Sequence, residues 1–338
     1  MKIGIPRGLL YSIYLPLWKT FLEELGHKVV LSSHTDQTIL NNGVKTCVDD
    51  ACLPVKIFHG HVMNLVNKAD IILIPRLVSV CPGEFICPKF IGLPEMIKHS
   101  IPGDLKLLVM NFNARFQMEK GYDGMRTAGR ELGASKELID RALRKARMKQ
   151  DEHRRMMETV PGLNPVCALE KRNQKPLKSA KGVIGLIGHP YLIYDQYINM
   201  NLCNKLRARG YDLLFPENIP LNEINQECER YPKKLFWSYG KRLLGSGLSM
   251  LQHKRAVGLI LVTSFGCGID SFMDELLIRA NQRVFKIPLT TLTLDEHSGQ
   301  AGFDTRLEAF VDMMEWRSRY DNYVSTHGTG IHPSQSFI

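Results

Sequence analysis

Eight cysteines stand in this 338-residue sequence, and they are the side chains best suited to chemistry. Cys47, Cys52, Cys81 and Cys87 fall within one stretch, while Cys267 stands apart in the run TSFGCGID over residues 263–270. Thiolate-only ligation selects zinc or iron–sulfur clusters. Four residues separate Cys47 from Cys52 and five separate Cys81 from Cys87. These gaps are looser than the tight pairs of most structural zinc sites and match neither common ferredoxin spacing. Pro54, Pro88, Gly266 and Gly268 flank Cys52, Cys87 and Cys267, and such residues let backbone N–H groups approach an anionic centre. Spacing alone leaves cluster ligands, zinc ligands and packed thiols all open, since free cysteine is among the most buried residue types. Cys167, Cys203 and Cys228 read as packing residues.

The elements that must position these thiols follow from periodicity. Residues 2–6, 27–32, 70–75 and 106–112 read as short buried strands, with helical stretches at 14–25, 53–66 and 90–99. A second series places strands at 182–188, 211–215, 257–263 and 284–288, and helices at 197–209, 236–253, 271–280 and 305–316. Strands alternating with helices predict an α/β chain of two Rossmann-like lobes with mainly parallel sheets and a helical insertion. The expected boundaries are an N-terminal lobe over 1–116, a charged helical insertion over 117–160 and a linker over 161–181. A C-terminal lobe over 182–320 and a polar tail over 321–338 follow. Cys52, Cys87 and Cys267 then fall at strand-to-helix turns. Ligands in open α/β sheets collect outside the carboxyl ends of strands, so these three thiols can meet in one place.

Hydrophobic residues make up 44% and charged residues 23%, which is ordinary for a globular chain. No uncharged apolar run approaches the roughly 18 residues of a membrane span, so no membrane contact is expected. The first residues read as strand and turn rather than as a signal peptide. The expectation is a cytoplasmic, reducing setting in which cysteines stay thiols or metal ligands. The net charge is +10, and much of the excess sits at 126–155, including Arg141, Arg144, Lys145, Arg147, Lys149, Arg154 and Arg155. That stretch reads either as a solvated helix face or as a landing surface for an acidic redox partner or anionic cofactor. No zinc-finger or RNP spacing points to nucleic acid, and no dinucleotide fingerprint or Walker loop is present. Lys56, His59 and His61 follow Cys52 on a helical stretch; they read as a helix face or as groups supporting the thiol and donating protons. Asp295, Glu296 and His297 read as a turn before Gly299 or as an acid–base group.

Five blocks carry a resemblance: VDDACLPVK over 48–56, with His59 and His61 after it; ICPKFIGLP over 86–94; GHPY over 188–191, with Tyr194 and Asp195; SFGCGIDS over 264–271; and LDEHSGQAG over 294–302, followed by TRLEAF over 305–310. Together, across about residues 2–316, they resemble the proteins related to CoA-substrate-specific enzyme activases, distant relatives of 2-hydroxyacyl-CoA dehydratase subunits and double-cubane cluster proteins.

The resemblance implies α/β domains and a 4Fe–4S cluster on three cysteines, here Cys52, Cys87 and Cys267. Cys47 and Cys81 would be additions to that set, consistent with a fourth ligand or with a double-cubane or other larger cluster. Lys56, His59, Ser264 and His297 would support it. The implied power source is an ATP-dependent iron–sulfur activase acting as a partner, since these residues carry no nucleotide loop. Three activities stay open: an electron-accepting component, a 2-hydroxyacyl-CoA dehydratase subunit acting on an acyl-CoA or other small substrate, and a non-enzymatic cluster-binding subunit. Either a homodimer or a heterodimer would suit such a component.

Overall fold

The computed structural model describes residues 1–170 and 181–327, leaving aside the side chains of 167 and 318–327. In chain order, the first half runs β1 (Lys2–Ile5), α1 (Tyr11–Glu24), β2 (Lys28–Leu31), α2 (Gln37–Thr46), α3 (Leu53–Leu65) and β3 (Ile71–Ser79). It continues through α4 (Pro88–Ile91), α5 (Leu93–Ser100), β4 (Leu107–Asn113), α6 (Asp123–Glu131), α7 (Lys136–Thr159) and α8 (Pro165–Leu169). The second half runs β5 (Val183–Gly188), α9 (Pro190–Ile193), α10 (Leu202–Ala208), β6 (Asp212–Leu214), α11 (Leu221–Glu229) and α12 (Ser238–Gln252). It closes with β7 (Gly258–Ser264), α13 (Gly268–Ala280), β8 (Leu289–Leu294) and α14 (Gln300–His327).

Both sheets are four-stranded and wholly parallel, and they share one topology: β2-β1-β3-β4 in the first and β6-β5-β7-β8 in the second. The two Rossmann-like lobes expected from the alternation are therefore present. In each lobe the strand order reverses between its first and third strands, and the crevice outside their carboxyl ends is where such sheets bind ligands. β7 is buried along its whole length, as a strand covered on both faces must be.

The charged segment after β4 adds no strand. Met125 and Ala128 of α6 and Ile139, Leu143 and Ala146 of α7 join Phe21, Leu73 and Leu108 in the first lobe's core. Arg141, Arg144, Lys145, Lys149, Arg154 and Arg155 line the exposed face of α7. The amphipathic pattern thus covers the sheet with its apolar side and gives its charge to water.

Two sequence expectations need correction. The strand expected at 284–288 is not formed: Asn281–Phe285 prolongs α13 as a π-helical turn, closed by Lys286 at φ 54°, and the strand follows as β8. The Val-Phe-x-Ile alternation there mimicked a strand, but the Leu-Thr alternation after Pro288 pairs with β7. The helix expected from 197 begins only at Leu202, after a run of turns in which Met200 and Asn201 take positive φ. The expected linker holds α8, and its residues 171–180, like the end of the polar tail at 328–338, lie outside the described residues.

The lobes are joined through α3, whose first eight residues are all buried. Leu53 and Ile57 belong to the second lobe's core, while Tyr191 and Tyr239 pack against the first lobe's core. α2 crosses α3 at glycine contacts. A Cβ on Gly43 would lie 2.0 Å from the Lys56 carbonyl oxygen, and one on Gly60 would lie 1.9 Å from that of Ile39. Lys56, 3% exposed, bonds Glu296 of the second lobe. Phe85 bridges to the strand-like entry of α12, with Phe85 N–H donating to Phe236 O at 2.7 Å and Ser238 N–H donating to Phe85 O at 2.9 Å.

Candidate functional site: a thiol junction between the lobes

Three cysteines occupy the same local position. Cys52 is the N-cap of α3 (φ −66°, ψ 153°), Cys87 of α4 (φ −51°, ψ 134°) and Cys267 of α13 (φ −89°, ψ 101°). Each takes the non-helical backbone that a cap requires, yet none spends its side chain on capping. The thiols therefore stand beside the amide-rich ends of their helices, a setting that favours anions and thiolates. Leu53-Pro54 and Pro88 start two of the helices, where a proline loses no needed N–H. Gly266 at φ 73° makes the turn that presents Cys267 after β7.

Electrostatics bring the three together. Burial, then the charges of Asp270, Cys267, Cys52 and Cys87, push the Tyr191 phenol far up, so one side chain feels all three thiols. Burial pushes the Cys87 thiol up, as do Cys52 and Asp270, while the Lys89 amide and ammonium oppose the shift. Cys267 is raised strongly by burial, then by Asp270 and Cys52. The charges of Asp270 and Cys52 thus disfavour the thiolates of Cys87 and Cys267, a penalty that a bound cationic centre would relieve.

Of the other two candidates, Cys47 is buried with Ala51 and Val55 against Cys52 and Met96. Burial raises its pKa. Cys81 answers to a different neighbourhood, where burial and Glu84 raise it against Arg242, Lys241 and Arg154. Cys203 is buried, its Sγ 3.7 Å from Ile193 O, and Cys228 is buried with its Sγ 3.4 Å from Lys241 O. Both pack, as expected. The Cys167 side chain lies outside the described residues.

The expected supporting residues divide. Ser264 ends β7, and its N–H donates to Asp270 Oδ2 at 3.4 Å, so it orients a group of the junction. Lys56 is used in the inter-lobe ion pair. His59 is fully buried, its Nδ1 2.8 Å from Val55 O, and burial lowers its pKa. His297 is exposed at a turn in which Asp295 accepts from His297 N–H and from Ser298 Oγ.

Two residues at the junction were not singled out from the sequence. His189, 4% exposed, caps α9 at the end of β5. Its Nε2 lies 2.8 Å from Asp270 Oδ1, and its ring stacks on Tyr191 with centroids 4.9 Å apart. Ligand atoms of His189, Cys267 and Asp270 all lie within 4.8 Å of one another. Burial opposes ionisation of Asp270, but His189, Cys267 Sγ and the Ser264 amide together hold its carboxyl below the usual range. The available signal was positional: both residues flank the ends of β5 and β7, the pair between which strand order reverses.

On the other side of Tyr191 lies a cavity of about 470 Å³ between the lobes, lined among others by Arg7, His34, Thr35, Tyr191 and Asn204. Its wall carries a directed hydrogen-bond chain. Arg7 N–H donates to Ser32 Oγ (2.8 Å), which meets His61 Nδ1 at 2.9 Å. His61 Nε2 meets Thr35 Oγ1 at 3.1 Å, and Thr35 donates to Asp195 of the second lobe. Burial, then Arg7 and His34, push the His61 pKa down to about 3, so the ring is neutral and the chain runs one way.

Fold and site together define a two-lobed α/β protein with a thiol-bearing junction between paired switch points. The family model described as the CoA enzyme activase uncharacterised domain matches residues 2–219, well over half of the chain. The chain belongs to this family. Cys52, Cys87 and His189 lie within the matched residues, and Cys267 and Asp270 lie beyond them. No curated protein matches. Similar solved structures include an ABC-transporter solute-binding protein from Bacillus halodurans with bound myo-inositol. It is 10% identical, with 87% of this chain and 93% of that chain covered and a TM-score of 0.23. Another is a sugar transporter from Clostridium phytofermentans, 10% identical, with 86% and 80% covered and a TM-score of 0.20. Scores that low carry neither fold nor ligand to this chain.

Proposed function

We propose that this chain is an iron–sulfur component that holds a 4Fe–4S-type cluster on Cys52, Cys87 and Cys267 and accepts low-potential electrons from an ATP-dependent activase. One observation carries the reading: two thiols of the first lobe and one of the second, each at a helix N-cap, act on the single phenol of Tyr191. A convergent thiol set suits a soft metal centre. Among the described residues, His189 Nδ1 and Asp270 Oδ1 are buried without an aligned hydrogen-bond partner, as expected of groups awaiting a ligand.

When bound, such a cluster supplies one-electron transfer. The chain's own residues do the rest. The N-terminal turns of α3 and α13, helices of thirteen residues each, favour the anionic thiolates. Phe90, Tyr191, Trp237 and Tyr239 line a narrow apolar crevice with Cys87 and His189. Their bulk covers one side of Cys87, and solvent exposure is one of the levers on cluster potential. The 470 Å³ cavity beyond Tyr191 offers room for a small substrate close to the redox centre. The exposed arginines and lysines of α7 offer an acidic activase a landing surface whose association rate falls with salt.

The test is reduction of the anaerobically reconstituted protein, followed by stopped-flow absorbance with and without activase and ATP, at low and high ionic strength. The isolated protein should hydrolyse no ATP and be reduced faster with activase present, most of all at low salt. Equal rates in all four conditions would leave a plain cluster-binding subunit as the better reading.

A further inference from the structure

The thiol junction contains one strong ligand that the three-cysteine reading leaves unused. His189 sits at the carboxyl end of β5, in the gap between β5 and β7 where strand order reverses. Its Nδ1 is buried and, among the described residues, has no hydrogen-bond partner. A buried polar nitrogen without a partner is costly to leave unpaired unless something binds it. The ring cannot readily turn away, being stacked on Tyr191 at an interplanar angle of 25° and packed against Tyr239 at 6.0 Å between centroids.

Its other nitrogen has a defined neighbour. Nε2 lies 2.8 Å from Asp270 Oδ1, close enough for the carboxylate to keep the proton on Nε2, although the approach is not that of an aligned hydrogen bond. Asp270 is itself held from behind. Oδ2 accepts from Thr263 Oγ1 at 3.3 Å and from the Ser264 amide at 3.4 Å, which turns Oδ1 towards the imidazole. A carboxylate that fixes one imidazole nitrogen and frees the other for metal is the usual support of a histidine ligand. His189 also shares one narrow crevice with Cys87, and a ring nitrogen of it lies within 4.8 Å of the Cys267 sulfur and an Asp270 oxygen. Cys81 answers to a different set of charges, while Cys47, packed beside Cys52, is the thiol that competes with His189 for a fourth position.

We propose that His189, through Nδ1, is a fourth, nitrogen ligand to the cluster of Cys52, Cys87 and Cys267, with Asp270 as its positioning residue. This rests on the cluster reading above and adds a site-differentiated iron to it. Replacing thiolate by imidazole makes a cluster easier to reduce, as histidine ligation does elsewhere. A His189→Cys variant, all thiolate, should therefore have a lower reduction potential than the native protein.

The experiment is pulsed EPR on the reduced protein grown with ¹⁵N-histidine, alongside iron and acid-labile sulfide analysis. A ¹⁵N coupling of directly bound strength is expected in the native protein and should vanish in His189→Ala. The labelled native protein decides the matter even if that variant fails to fold. A cluster present without histidine coupling would overturn this inference and leave the three-cysteine reading standing. Absence of iron and sulfide altogether would overturn that reading, and this inference with it.

Discussion

Two regions meet on either side of Tyr191, and they treat their polar groups in opposite ways. In the cavity wall, each member of the Ser32–His61–Thr35–Asp195 chain has a partner, and the direction of every proton is fixed by its neighbours. In the thiol junction, Asp270 and Cys52 bear on both Cys87 and Cys267, and His189 Nδ1 has no partner among the described residues. Both lie at carboxyl ends of strands in lobes of identical topology. Topology therefore sets both locations, while side-chain pairing separates the fully hydrogen-bonded network from the junction proposed to hold a cluster. Buried polar groups are mostly hydrogen-bonded, so an unpaired one calls for an explanation.

The largest expected effect separates the regions outright. Cys267→Ala removes the second lobe's only thiol at the junction and should abolish most cluster content, measured as iron and labile sulfide per chain. Cys203→Ala, at a buried thiol beside Ile193, should leave it intact. Equal iron in the two variants would erase the distinction.

Acid should act on the other region. His61 has a folded pKa near 3 against an ordinary value of about 6.5. Its contribution to stability is complete above pH 6.5. As pH falls, the unfolded chain takes up a proton that the folded chain refuses, and stability drops by roughly 1.4 kcal/mol per unit until about pH 3. Urea midpoints measured across that window should show this slope, and His61→Gln should flatten it. A slope unchanged in the variant would mean that other groups set the acid limit.

A smaller loss is expected from Thr35→Val, which strips the link between His61 and Asp195. The cost should be about 1–2 kcal/mol in chemical denaturation, with cluster content unaltered. Loss of cluster in this variant would show the two regions to be one unit. The smallest effect belongs to Cys81→Ala. Its thiol responds to Glu84, Lys241 and Arg242 rather than to the junction, so iron content and visible absorption should match those of the native protein.

Much of the fold was legible because buried parallel strands are short apolar runs: β3, β5 and β7 stand out by hydrophobicity alone. β8 was displaced because Val284, Phe285 and Ile287 alternate like a strand while the chain is still turning out of α13. The polar helix α2 escaped notice, since its burial rests on Ile39 and Gly43 rather than on an apolar stripe. For the site, turn position marked Cys52, Cys87 and Cys267. His189 and Asp270 stand in the GHPY and SFGCGIDS blocks but drew no role, because neither has a ligand spacing to read; only the pairing of β5 with β7 brings them together. Cys47 and Cys81 looked equivalent in sequence, but Cys47 is buried beside Cys52 while Cys81 is half-buried among the charges of Glu84, Lys241 and Arg242.

The central claim is that thiols from both lobes hold one iron–sulfur centre. Its most direct test is metal and acid-labile sulfide analysis of the native protein, isolated and reconstituted without oxygen, with EPR after reduction. Three cysteines and a site-differentiated iron predict about four iron and four sulfide per chain, with broad visible absorption that bleaches on reduction. Stoichiometric zinc without labile sulfide would contradict the account.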